Sequence, residues 1–115
     1  MAFSELETKR IEKAVSTYVE GRRPPAHIRS QLDIGFRVTG QSVEIFEIRP
    51  AWREPETLLE LSVAKATFVK KSGLWKVYWK RADGKWHGYQ PTPAVGSIGK
   101  FLELVQADPL ACFWG

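Results

Sequence analysis

The chain has 115 residues with 43% hydrophobic and 26% charged side chains, five tryptophans and a formal net charge of +4. That length suits one domain with a single core and no staples, and that composition is ordinary for a soluble globular protein, so disorder is not the default. No apolar run approaches the ~20 residues of a membrane-spanning helix, and one cysteine, Cys112, excludes an internal disulfide and a multi-cysteine zinc site.

The first predicted element is a helix. Ser4 and Glu7 have the spacing of a capping box, and Ile11, Ala14, Val15, Tyr18 and Val19 fall on one apolar stripe. Gly21 is the expected left-handed stop, and Arg22-Arg23-Pro24-Pro25 cannot continue the helix. Residues 32–39 alternate, with Leu32, Ile34, Phe36 and Val38 on one face, and Gly40-Gln41 reads as a two-residue turn. In the second strand, residues 42–49, Val43 and Ile45 take one face and Phe46 and Ile48 the other, as in a strand partly covered on both sides. Residues 50–57 contain two prolines and read as a loop.

Leu58-Leu59 leads into a third strand over residues 60–70. Its predicted faces are Leu61, Val63, Thr67 and Val69 against Ala64, Ala66 and Phe68. Ser72-Gly73 turns the chain into a fourth strand over 74–81, and Asp83-Gly84 into a fifth over 85–89. Thr92 is the predicted cap of a second helix, with Pro93 at its first position; a start at Ser97 is the alternative, because Gly96 and Gly99 weaken the first turns. Val95, Ile98, Phe101, Leu102 and Val105 make its apolar face, Asp108-Pro109 ends it, and the tail LACFWG is apolar enough to dock on the core. Short turns between successive strands require antiparallel neighbours. The expected fold is therefore α+β: one domain over residues 1–115, with a five-stranded antiparallel β-meander and an N-terminal and a C-terminal helix packed on one face.

Charge is unevenly placed along this scaffold. Residues 1–60 carry nine Lys/Arg and ten Asp/Glu, whereas residues 61–115 carry eight and three. Most of the excess lies in Lys65, Lys70, Lys71, Lys76, Lys80, Arg81 and Lys85, with Asp83 alone against them. The same stretch, LWKVYWKRADGKWHGY over residues 74–89, holds three of the five tryptophans. Together with FLELVQADP and the terminal FWG, this hairpin resembles a family of small bacterial proteins known only as a domain of unknown function. The most specific motifs are Trp86-His87-x-Tyr89 and Phe113-Trp114-Gly115. The resemblance implies a stand-alone cytoplasmic bacterial protein and supplies no activity and no catalytic residues.

Within the hairpin, Trp75, Val77 and Trp79 share one parity and read as core; Lys76, Tyr78 and Lys80 share the other and read as solvated. Aromatic faces that stack on bases, beside cations that neutralise phosphates, suit a flexible anionic strand. The candidate binding residues are Lys76, Tyr78, Lys80, Arg81, Lys85, Trp86, His87 and Tyr89. The plainer alternative is a lysine-rich face that merely discourages edge-to-edge pairing. A secondary basic loop of Arg22, Arg23 and Arg29 could present guanidinium groups to phosphate or carboxylate, or simply favour the helix C-terminus.

Catalytic patterns are absent. His27 and His87 lie far apart and neither has a partner at metal-ligand spacing; Glu44 and Glu47 face opposite sides of a strand. His87 and Cys112 would form a nucleophile pair only if the fold brought them together. No cofactor motif and no metal set is legible. The best-supported expectation is a non-enzymatic module for an anionic partner such as single-stranded nucleic acid or an acidic protein. A protein–protein interaction module built on Trp52, Phe113 and Trp114 is the alternative, and a hydrolytic enzyme is third. The opening residues, MAFSELETKR, have no apolar centre, so no signal peptide is expected. With the single cysteine, this points to the cytoplasm.

Overall fold

The fold, taken from a computed structural model that describes residues 3–114, begins with helix α1 (Glu5–Arg22). Its capping box is made in full: Glu7 N donates to Ser4 Oγ and Ser4 N to Glu7 Oε1. Ile11, Val15 and Val19 bury one stripe of it. Gly21 is not its left-handed stop, as expected from the sequence, but part of the last turn. The helix ends because Arg23 precedes Pro24 and takes an extended backbone (φ −58°, ψ 140°).

The strands follow in order: β1 (Asp33–Thr39), β2 (Ser42–Pro50), β3 (Leu58–Val69), β4 (Leu74–Lys80) and β5 (Trp86–Gly88). All neighbours are antiparallel and lie in chain order, so the meander is as expected. A sixth short strand, β6 (Ala94–Val95), takes the place where the second helix was expected to start. It pairs with Lys76 and Trp75, so β5 and β6 share one edge of β4 end to end. The helix α2 (Ile98–Ala107) starts after Ser97, whose Oγ accepts from Lys100 N, rather than at Thr92.

Both helices cover the same face of the sheet. Ile11, Val15 and Val19 join Phe101, Leu102 and Val105 in one buried cluster with Ile34, Val43, Ile45, Ala64, Ala66, Trp75 and Val77. Phe68, Trp75 and Phe3 close one end of it with ring centroids 5.3–5.8 Å apart. The expected faces of β3 hold above Ala64 and fail below it. Ile45 pairs with Ala64 but Phe46 pairs with Ser62, so Val63 is an extra residue, a β-bulge. The bulge turns Val63 into the core and brings Leu61 onto the helix side, opposite Glu47. On the helix-free face Phe46 is buried by a different device. Gly35 lies opposite it, and a Cβ there would come within 2.9 Å of the ring. The Arg37 guanidinium covers the ring from 4.5 Å.

The tail docks through Asp108. This residue ends α2 in the left-handed region (φ 40°), and its carboxylate accepts from Phe113 N at 3.0 Å and Trp114 N at 2.9 Å. Phe113 is thereby buried against the Tyr89 ring, 4.9 Å between centroids. The last residue, Gly115, lies outside the described residues. Asp108→Ala removes both acceptors from part-buried backbone donors, and should cost about 2 kcal/mol of unfolding free energy in urea. Asp108→Asn, which keeps one acceptor, should lose less.

Candidate anion-binding face

The site begins with the parity of β4. Trp75 is 6% exposed and Val77 fully buried on the helix side, so Lys76, Tyr78 and Lys80 must face the other way. That side carries no helix. Its neighbours are set by register: Lys65 lies opposite Tyr78, Thr67 opposite Lys76, Trp86 opposite Lys80 and Gly88 opposite Tyr78. A Cβ at Gly88 would meet nothing within 4 Å, so the flank of Tyr78 is open.

Two rings and two cations interlock here. Lys65 Nζ lies 5.0 Å from the Tyr78 ring centroid and 4.9 Å from that of Trp86. Lys80 Nζ lies 4.8 Å from the same indole. Ring quadrupoles attract ammonium groups, by about 0.5–1 kcal/mol at exposed sites, and so hold two like charges at one tryptophan. Among the described residues none of Lys65, Lys76, Lys80, Arg81 and Lys85 has an ion-pair partner.

The neighbouring acids are engaged elsewhere. Glu44, although opposite Lys65 in the register, accepts from Ser62 Oγ at 2.8 Å and lies 3.9 Å from Arg37. Glu60 pairs with Arg37, and Glu47 pairs with Arg49 on the helix side. Asp83 serves the β4–β5 turn. Its carboxylate accepts from Lys85 N at 2.9 Å and contacts His87 Nε2 at 2.8 Å, and these bonds hold its carboxyl below the ordinary range. The helix-free face is thus divided: carboxylates and Arg37 lie over β1 to β3, and unpaired lysines with Tyr78 and Trp86 lie over β3 to β5.

A family described as a domain of unknown function (DUF3024) matches residues 3–115. The chain belongs to that family. No curated protein matches it and no solved structure does.

Not every predicted site residue of this DUF3024 domain reaches the face. Lys76, Tyr78, Lys80 and Trp86 lie together on it, and Lys85 stands exposed in the β4–β5 turn; Arg81 instead follows the parity of Trp79 to the helix side, its guanidinium 5.5 Å from that ring centroid. His87 has the opposite parity, pairing with Trp79 on the helix side. Tyr89 is 1% exposed and cannot stack on a ligand, because the chain leaves the edge after Gly88 and the tail closes over its ring. Among the described residues its phenol has no hydrogen-bond partner, and burial raises its pKa, with Cys112 and Asp108 adding to the effect. Lys65 is the residue that site prediction from the hairpin missed; the cue was its place at the start of the basic run.

The helix side holds a cleft of about 640 Å³ lined by Trp79, Arg81, His87 and Cys112 among others. The DUF3024 fold therefore does bring His87 and Cys112 to one cleft. No hydrogen bond joins them, however: His87 Nε2 faces Asp83, and Cys112 Sγ contacts Leu110 O at 3.8 Å. Among the described residues no three His, Cys, Asp or Glu side chains gather as metal ligands, and no helix is long and apolar enough to cross a membrane. Of the three aromatics expected at a partner surface, Phe113 is core and Trp114 lies under Arg22, 3.9 Å from guanidinium to ring centroid. Trp52 alone is open, at 85% exposure.

The secondary basic loop is a staple rather than a free clamp. Arg23 binds Asp33 through Nε and Nη2, both at 2.8 Å, and reaches Glu20; Arg29 Nε donates to Pro24 O. Arg22 donates to Gln106 beside Trp114. The bonds from Arg23 hold the Asp33 carboxyl below its ordinary range. The stability this pair contributes is complete above about pH 4, the unfolded value, and is lost as pH falls through the lowered folded value. Asp33→Asn should cost about 2 kcal/mol at pH 7 and flatten the loss of stability below pH 4 in urea melts taken across the acid range.

Proposed function

We propose that this domain is a non-enzymatic binding module for an anionic polymer, with single-stranded nucleic acid as the ligand class. One observation carries it: Lys65 and Lys80 converge on Trp86, on a helix-free face, with no carboxylate partner among the described residues. An uncovered cluster of one sign raises the local concentration of anions. A phosphate backbone would draw the two ammonium groups off the indole, leaving Trp86 and the open flank of Tyr78 for bases to stack on. Such stacking tolerates any base, so the binding is sequence-tolerant. The flat sheet face suits a flexible strand better than a duplex groove. A single cysteine, unpaired here, suits a reducing cytoplasm, and the hairpin resemblance suits a bacterial cell.

Fluorescence anisotropy with labelled single-stranded DNA and RNA, taken at several salt concentrations, tests the proposal. Affinity should fall steeply as salt rises, and Lys65→Gln or Lys80→Gln should each lower the log–log slope by about 0.7. Trp86→Ala should weaken binding by about 1–3 kcal/mol. Absence of binding at low salt, or an affinity indifferent to salt and to both lysine variants, rejects it.

A further inference from the structure

Strand β3 is longer than the strand that covers it. β2 pairs with it from Leu58 to Thr67, whereas β4 pairs only from Ala64 to Val69. Among the described residues, no strand pairs with the other edge of residues 58–62. Such an edge presents free N–H and C=O groups, and proteins usually guard it with charge or proline. Here it carries Leu58, Leu59 and Leu61, which are 62%, 45% and 46% exposed. Its one charge, Glu60, is drawn across β2 to Arg37 on β1, away from the open side.

We propose that this edge is a self-association surface, on which a second copy of the chain adds its own residues 58–62 in antiparallel pairing about a two-fold axis at Glu60. The segment is self-complementary in that register. Leu59 of each copy falls opposite Leu61 of the other, all four on the helix side of the sheet, where cross-strand apolar pairs stabilise. Leu58 falls opposite Ser62. The two Glu60 carboxylates meet across the axis, which like charges oppose; Arg37 of each copy neutralises its own. Charges also match beyond the paired segment. The chain preceding Leu58 of one copy runs past Ser62 of the other, toward the exposed Arg81 and Lys85, and it carries the exposed Glu54 and Glu56. A two-fold contact of this kind closes on itself and consumes both open edges, so it does not propagate. It also puts the lysine-rich faces of both copies on the same side of one continuous sheet. The pairing stands independently of any nucleic-acid ligand.

Sedimentation velocity over a wide concentration range, without ligand, tests this. The wild-type chain should form a concentration-dependent dimer. Leu61→Lys, at an exposed position where circular dichroism should remain unchanged, should weaken it roughly tenfold or more. Arg37→Ala should weaken it too by unmasking the Glu60 pair, and adding Glu60→Gln should restore it. A monomer at all concentrations, or a dimer unmoved by Leu61→Lys, overturns the proposal. A dimer that Arg37→Ala leaves unchanged overturns the two-fold register.

Discussion

The burial of Trp75 and Val77 is the constraint on which the rest of the molecule depends. Side chains on a strand alternate, so sealing these two against α2 and the centre of the sheet leaves Lys76, Tyr78 and Lys80 nowhere to go but the helix-free face. A slip of one residue would drive three polar groups into the core and expose two of its larger apolar ones. Register then carries the consequence outward. Tyr78 is placed against Lys65, Lys80 against Trp86, and two ammonium groups meet at one indole. The proposed binding face is a by-product of core packing, held by the same ladder.

Arg37 plays the complementary part. It covers the Phe46 ring in the berth that Gly35 leaves open, and it collects Glu60 and approaches Glu44. Without it Glu44, opposite Lys65 in the register, would keep only its bond from Ser62, and Glu60 would lose its ion pair. One arginine therefore separates the sheet into a neutralised half and a basic half. The separation is electrostatic rather than steric, so it weakens with salt for the exposed groups.

Much of this architecture is legible in the sequence because it rests on local periodicity and local chemistry. The Ser4 capping box, the alternation of residues 33–39 and 74–80, and the glycines of the Gly40, Gly73 and Gly84 turns each state their structure within a few residues, and all three glycines have positive φ. What escapes reading is set by distant partners. The bulge at Val63 arises only when β2 and β3 pair, and it reassigns Leu61 and Val63 to the helix side. The short β6 exists because the exposed edge of β4 captures Ala94 and Val95, which shortens α2. Tyr89 looks like a surface aromatic until Phe113, held by Asp108 from far along the chain, closes over it. Arg23 looks free until β1 brings Asp33 to it.

The central claim is that the helix-free surface of β3, β4 and β5 is where this DUF3024 domain meets an anionic polymer. Amide and indole chemical shifts, followed by NMR during titration with a short oligothymidylate, address it directly. The largest changes should fall on Lys65, Lys76, Tyr78 and Lys80 and on the Trp86 indole N–H, with the Trp75 indole and the amides of α1 unmoved. Changes centred on Arg22 and Trp114, or on the cleft beside Cys112, would contradict the account.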